Sequence, residues 1–350
     1  MAEEEQEELV AVGAVIRDRW KVLKKLGEGG FGAVFECYDQ MTREACALKV
    51  ESAKERNQVL KMEVAVLRRL QGKPHVTKFI GCGRNERFNY VVMGLVGKNL
   101  ADYKRETTEQ KFSVSTGIRL IYQCLEAIED LHNIGFLHRD LKPGNYVMGR
   151  PPHGRTVYLL DFGLARQYVN NRGETRTPRA AAGFRGTVRY ASVSAHRNRE
   201  MGRQDDLWCL LYMAVEFLVG QLPWRKLSDK DQVGKMKEEM SPTQLLQGCP
   251  EEMFAMHKHI SGLRYPDKPD YNLWKDQMNR ILKRFRVRLT DPMDWETDRA
   301  PKAPMPYRPG PRSGEQRFGG DGDERQRTLE MEDPYGVPEQ LPGGYQRRRG

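Results

Sequence analysis

Cysteine is scarce in this chain, with six in 350 residues: Cys37, Cys46, Cys82, Cys124, Cys209 and Cys249. They stand singly, with no C-x-x-C pair and no histidine-rich companion at zinc spacing, so no structural metal is expected and most should pack as small apolar side chains. Long hydrophobic runs are missing too. The longest, LWCLLYMAVEFLVG from Leu207, is too short to span a bilayer and is interrupted by Glu216, which predicts a buried helix and no transmembrane segment. No basic-then-apolar leader is present; the first residues read MAEEEQEELV. A reducing intracellular setting, cytoplasmic or nuclear, is the expectation. No internal repeat is found.

What is present describes an ordinary globular protein: 39% apolar and 30% charged residues, enough for a sizeable core. At this length, one large domain or two lobes with tails is expected. The formal net charge of +10 favours acidic partners without choosing among phosphorylated protein, acidic peptide, nucleic acid or anionic lipid. An inert basic surface gives the same count.

Residues 1–19 are acidic and weakly periodic, which predicts a flexible arm. From Trp20, the short β-rich runs WKVLKKLG, GAVFECYD and EACALKVES alternate with polar turns and predict an antiparallel meander. ERNQVLKMEVAVLRRL then sets Leu60, Val64 and Leu67 on one helical face, and FNYVVMGLV reads as a strand again. Beyond Gly97 the pattern is helical, in IRLIYQCLEAIEDLHNIG, DDLWCLLYMAVEFLVG and the stretches around MFAMHKHISGL and LWKDQMNRILKRF. A small β lobe followed by a larger helical lobe makes the class α+β. Residues 297–350 are rich in Pro, Gly and charge and predict a disordered tail. Its closing Arg347-Arg348-Arg349 is weak ground for nucleic-acid binding, which is not expected.

Four motifs carry chemistry. In LGEGGFGAVF, Gly27, Gly29 and Gly32 form G-x-G-x-x-G between two strands, with Glu28, Gly30, Phe31 and Val34 interleaved. Absent side chains there let backbone N–H groups approach phosphate, although a glycine-rich hairpin with no ligand shares the pattern. Lys49 follows on a strand with apolar neighbours and needs an anion; Glu63 on the inserted helix supplies one, and nucleotide phosphates would supply others. Alone, either residue also fits a snorkelling lysine and a surface glutamate. HRDLKPGNYV offers Asp140, Lys142 and Asn145: an acceptor for a hydroxyl proton, a fixed cation beside a phosphate, and an amide oxygen for Mg²⁺. LLDFGLA adds Asp161, a hard oxygen ligand for the same ion.

In this order the motifs resemble a eukaryotic protein kinase from about Trp20 to Trp295, a bilobal fold with an N-lobe at 20–93, a hinge at 94–97 and a C-lobe at 98–296 within a domain of 20–296. The resemblance implies ATP and Mg²⁺ as cofactors, with Ala47 and Met93 in the adenine pocket, Met93 as gatekeeper, and Gly94, Leu95 and Val96 as hinge. H-R-D-L-K resembles serine/threonine rather than tyrosine kinases. Thr187 in RGTVRY resembles the threonine that braces Asp140 and Lys142, and Asp206 resembles the carboxylate that pins the catalytic loop. Most kinases continue from G-T-x-x-Y into Ala-Pro-Glu, whose glutamate pairs with a distant arginine. This chain instead reads GTVRYASVSAH, through Ser192, Val193 and Ser194. That departure, with QLPW at 221–224, KPDY at 268–271 and MDWE at 293–296, resembles the casein kinase 1 group. MGRPP, DFGLARQY and VGQLPWRK look most like the tau-tubulin kinases within it.

Arginines crowd residues 166–203, so protein substrates with acidic or phosphorylated segments are expected. The resemblance implies an anion site near the substrate groove at Arg189 and Lys235, with Arg225 and Lys226 nearby. Thr175 and Thr177 are candidate phosphoacceptors, yet related enzymes imply activity without that event. A monomeric catalytic domain is expected. The rival readings are a catalytically silent pseudokinase scaffold, disfavoured because Lys49, Asp140 and Asp161 are all retained, and a kinase-fold enzyme acting on small molecules or lipids.

Overall fold

The computed structural model describes residues 9–29, 32–55 and 58–297. The N-terminal part is a six-stranded antiparallel sheet of β1 (Val15–Ile16), β2 (Trp20–Gly29), β3 (Gly32–Asp39), β4 (Glu44–Ser52), β5 (Phe79–Arg84) and β6 (Phe88–Gly94), with spatial order β1-β2-β3-β4-β6-β5. Alternation along a strand assigns the faces. Leu48 and Val50 of β4 join Trp20, Val22, Phe35 and Val92 in a core on one side of the sheet. On the other side, Ala47 pairs with Met93 and joins the core shared with the C-lobe, while Lys49, opposite Val34 on β3, shares that face. Period two therefore aims the lysine at the cleft.

Helix α1 (Leu60–Arg69) packs Leu60, Val64 and Leu67 inward. It starts later than the periodicity from Glu55 suggested. The buried Glu51 at the end of β4 accepts the N–H groups of Val59 (2.6 Å) and Leu60 (2.9 Å), so a distant carboxylate caps the helix where no local residue does.

The C-lobe opens with α2 (Leu100–Glu106) and α3 (Val114–Asn133), followed by the short strands β7 (Phe136–Leu137), β8 (Tyr146–Met148), β9 (Val157–Leu159) and β10 (Arg166–Gln167). β7 pairs with β10 and β8 with β9, which brings the two loops bearing Asp140 and Asp161 together. The helices α4 (Val193–His196), α5 (Arg203–Val219), α6 (Lys230–Glu239), α7 (Pro242–Leu245), α8 (Met253–Ser261), α9 (Tyr271–Arg284) and α10 (Asp294–Thr297) complete it. As expected for the apolar run from Leu207, α5 is buried nearly all round. Among the described residues no helix is long and apolar enough to cross a membrane.

One difference from the sequence reading concerns the N-terminal end. The flexible arm read over 1–19 is not what residues 9–19 form. Val10 is buried, Gly13 N–H donates to Val22 O at 2.9 Å, and Arg19 grips the buried Asp39 with Nε and Nη2. Acidic composition misled there, because two apolar residues, Val10 and Ile16, are enough to seat the segment on the sheet. At the other end, Asp294 accepts hydrogen bonds from Ser113 and Thr116, and Trp295 stacks on Tyr103 at 4.2 Å, closing MDWE onto α2 and α3. The tail read at 297–350 lies outside the described residues from 298 on, as do residues 1–8 of the arm.

Candidate active site

Lys49 Nζ donates to Glu63 Oε2 at 2.6 Å and to Asp161 Oδ1 at 3.0 Å. One strand, one helix and the loop after β9 thus meet at one ammonium. Burial works against the charge on Lys49, but the carboxylates of Glu63 and Asp161 outweigh it and hold its pKa above the ordinary lysine value. Burial likewise pushes the Glu63 carboxyl up, against the pull of Lys49. For Asp161, burial opposes ionisation, yet Lys49 wins and its pKa lies below the usual carboxylate value.

Asp161 sits in the left-handed region, with φ of 66°, a conformation that costs energy for a non-glycine residue and clusters at functional sites. It is kept there from below: Phe162 is buried, and its ring lies 5.6 Å from that of His138. A Cβ on Gly163 would press on Val59, just before α1.

Asp140 is buried and has both carboxylate oxygens engaged. Thr187 Oγ1 donates to Oδ1 at 2.7 Å, and Lys142 Nζ donates to Oδ2 at 2.8 Å. Asn145 Nδ2 donates to Asp140 O at 2.9 Å, and the Asn145 backbone carbonyl accepts from Leu160 N–H at 2.9 Å, linking the Asp140 loop to the residue before Asp161. Gly186 has φ of 102°, and a Cβ there would come 2.6 Å from Arg139 O, so only glycine lets Thr187 approach Asp140 this closely. The backbone of this loop is pinned from α5. Asp206, fully buried, accepts from His138 N–H (2.8 Å), Arg139 N–H (2.9 Å) and the His132 ring (3.0 Å).

The glycine-rich turn is described at Gly27, Glu28, Gly29, Gly32 and Val34; Gly30 and Phe31 lie outside the described residues. Gly32 has φ of 121°, and a Cβ would collide with Val50 O, which is a folding requirement. A Cβ on Gly27 or Gly29 would meet nothing within 4 Å, so protein packing does not demand glycine there. The space they leave suits the close approach of a phosphate chain. At the back, Met93 is buried, while Gly94, Leu95 and Val96 are partly exposed between Gly94 N–H donating to Lys78 O and Gly97 N–H donating to Met148 O, each at 2.8 Å.

The basic residues are only partly gathered. Arg189 approaches the buried Glu216 (3.7 Å), which Lys104 also approaches (3.9 Å); Arg225 acts on the same Lys104 electrostatically. Lys235 lies on the exposed side of α6 near Glu239 at 3.9 Å, and no contact among the described residues ties it or Lys226 to Arg189. Helical geometry explains this, since Lys235 is about 200° round the helix from Lys237, which faces the Arg189 segment.

Several supporting roles escaped the sequence reading: those of His132, Glu216 and Lys237, each of which acts through contacts distant in sequence and belongs to none of the short motifs.

A protein kinase domain family model matches residues 20–285. Relatives include a Dictyostelium discoideum protein named as a serine/threonine-protein kinase, 42% identical over 287 residues, covering 82% of this chain and 58% of that protein. A Caenorhabditis elegans protein named likewise is 38% identical over 300 residues, covering 84% of this chain and 86% of the relative. Another from C. elegans, named as a casein kinase I, is 36% identical over 297 residues, covering 82% and 86%. The chain thus spans less than two thirds of the Dictyostelium relative's length. With a β lobe, a helical lobe, and Lys49, Asp140 and Asp161 on facing elements between them, the chain belongs to the protein kinase domain family.

Proposed function

We propose that this chain transfers the γ-phosphoryl group of Mg-ATP to serine or threonine hydroxyls of protein substrates. The observation that carries the reading is the double engagement of Asp140, with Thr187 on one oxygen and Lys142 on the other. Bound Mg-ATP supplies the transferable group and the cation charge that offsets its oxygens. In this reading, Asp140 accepts and orients the substrate hydroxyl proton, and Lys142 places positive charge beside the transferring phosphoryl. Asn145 and Asp161 would hold the metal through oxygen. This fits Asn145, whose amide nitrogen is spent on Asp140 O and whose carboxamide oxygen therefore points elsewhere. Lys49, fixed by Glu63, would take the phosphate chain beside Gly27, Gly29 and Gly32, while Val34, Ala47, Met93 and the Gly94–Val96 segment would line the base. Incubation of the purified chain with radiolabelled ATP, magnesium and Ser/Thr peptides tests this; no incorporation by protein with Asp140 intact would overturn it.

The 36% identical relative named as a casein kinase I, and the GTVRYASVS, QLPW, KPDY and MDWE segments, support membership of the casein kinase 1 group. Within it, a tau-tubulin kinase-like subtype remains our preferred reading.

For substrates, the proposal is a preference for acidic or phosphorylated segments. Arg189 and Lys104 both approach a single buried carboxylate, Glu216, and Arg225 is close enough to act on Lys104, which leaves positive charge over for a ligand. Arg189→Ala is expected to lower kcat/KM about tenfold on a primed or acidic peptide, with little change on a neutral one. Lys235→Ala should have the smaller effect, given its distance round α6. Equal losses on both peptide classes would sink the anion preference.

Activity without activation-loop phosphorylation is also proposed. Arg179 forks onto Glu200 (Nε–Oε2 2.5 Å, Nη2–Oε1 3.0 Å), and Arg166 reaches the same carboxylate at 3.3 Å. Arg139 lies beside them, its pKa brought down to about 10 by burial and by Arg166 and Arg179. A resident carboxylate therefore already gathers the guanidinium groups that an incoming phosphate would otherwise order. Phosphatase-treated protein should turn over peptide, Thr175→Ala and Thr177→Ala should stay within twofold of wild type, and Glu200→Ala should fall several-fold. An active Glu200→Ala protein beside an inactive dephosphorylated wild type would reverse the conclusion.

A further inference from the structure

Residues 188–191 follow the threonine that braces Asp140 and lead directly into Ser192, Val193 and Ser194, which stand where most kinases have Ala-Pro-Glu. The structure holds them by other means. Tyr190 donates its hydroxyl to Glu216 Oε2 at 2.6 Å, and Trp224 Nε1 donates to Arg189 O at 2.8 Å. Lys237 Nζ, from α6, donates to Val188 O at 2.8 Å and to Ala191 O at 2.7 Å. All four residues of the segment are thereby tied to α5, α6 or the loop between them.

Lys237 is the unusual member. It is 6% exposed, and among the described residues no carboxylate lies within ion-pair distance of it. Its ammonium sits 4.9 Å from the Trp224 ring centre and 5.0 Å from that of Tyr212, with His196 Nε2 at 3.3 Å. Burying an ammonium without a counter-ion costs several kcal/mol in general, so two carbonyls and two ring faces must replace the lost water. Burial also pushes its pKa down to about 7, which marks the slot as dry. Surface solvation, the usual fate of a helical lysine, does not describe it.

We infer that Lys237 is a positioning residue for the protein substrate: it clamps Val188 and Ala191 so that Thr187 stays on Asp140 and Arg189 stays presented to the incoming chain. It performs the anchoring that the absent glutamate and arginine pair leaves to other groups. None of its contacts reaches Lys49, Glu63, Asn145 or Asp161. Its loss therefore falls on peptide and spares nucleotide. The inference rests on the kinase reading above and does not depend on the preference for anionic substrates.

Steady-state kinetics on the full chain test it, using a neutral serine peptide beside binding of a fluorescent ATP analogue with magnesium. Lys237→Met suits the apolar slot and removes only the donors. Its kcat/KM for peptide should fall about tenfold or more, mostly through KM, with nucleotide affinity within twofold of wild type. Lys237→Arg, which keeps donors for both carbonyls, should recover part of the loss. Trp224→Phe, which keeps a ring and removes the donor to Arg189 O, should raise the peptide KM in the same direction and provides a second reading if the methionine variant folds poorly. Peptide turnover unchanged by Lys237→Met, nucleotide affinity falling in step with peptide turnover, or an arginine variant no better than methionine would each overturn the inference. Wild-type protein inactive on every peptide would instead remove the kinase reading, and the inference with it.

Discussion

Asp140→Asn lowers peptide phosphorylation by about 10²–10⁴-fold, the usual loss when a positioned proton acceptor is removed, and leaves the fold and nucleotide affinity near wild type. The expectation follows from the two hydrogen bonds on the side chain. Carboxylate Oδ1 accepts from Thr187 and Oδ2 from Lys142. An amide of the same shape can keep its oxygen on Lys142 and turn its N–H₂ group to the Thr187 hydroxyl, which rotates to accept, so both contacts survive while the carboxylate that takes the proton is gone. Neither Lys49 nor Glu63 touches Asp140, so the clamp between the lobes stays closed. Initial rates of peptide phosphorylation beside equilibrium binding of an ATP analogue make the comparison. An asparagine variant with more than a tenth of wild-type turnover would mean that this aspartate does not take part in chemistry, and the proposed activity would lose its main support.

Lys49→Met has a second large effect, and this one divides between chemistry and stability. Peptide turnover should fall on the order of 10²–10³-fold, as when one preorganised electrostatic donor is removed from a reacting centre. Stability should fall as well, because Glu63 is 3% exposed and its ion-pair partner is gone. Breaking one side of a buried pair costs about 3–5 kcal/mol when the remaining charge stays uncompensated. Glu63 can escape part of that cost by taking up a proton. Burial already raises its pKa in the fold, even against Lys49, and removing Lys49 leaves burial unopposed. In the variant the folded protein therefore binds more protons than the unfolded chain between the ordinary glutamate value and the raised one. Its stability increases as pH falls through that window. Thermal or denaturant unfolding of both proteins from about pH 7 to about pH 5 checks this. The deficit of the variant should narrow toward the acid end, and a constant or widening gap would show that Glu63 is not the group left stranded.

Much of the site was legible because its chemistry is written locally. Asp140, Lys142 and Asn145 fall within six residues, and a tight turn forces their side chains together whatever lies around them. Lys49 was readable as an anion-binding strand residue only beside the other motifs, since alone it also fits a snorkelling lysine. The three strands from Trp20 and the buried helix from Leu207 were equally plain, since each buries a face or a whole surface that its own periodicity announces. Strand β5, FIGCGR, was missed because two glycines and an arginine interrupt its pattern, and it persists only by pairing with β6. Helix α6, KDQVGKMKEE, was missed because its surface is almost wholly polar; it docks through Val233, Gly234 and Lys237.

The arm before Trp20 shows the same division. Its composition signalled solvent, while Val10, Ile16 and the Arg19 fork on Asp39 attach residues 9–19 to the sheet. Nothing in MAEEEQEELVAVGAVIRDR marks Asp39 as a partner, twenty residues on.

The three strands from Trp20, the buried helix from Leu207 and the kinase motifs follow from the chain by itself, because each depends on residues close enough to interact through one turn or one strand. Which groups hold those residues in place was decided only in three dimensions. Glu51 capping α1, Asp206 pinning the Asp140 loop, Glu200 gathering Arg166 and Arg179, and Lys237 clamping residues 188–191 all join segments far apart along the chain. A buried charge finds whichever partner folding delivers, and sequence spacing carries no record of that partner until the core has closed.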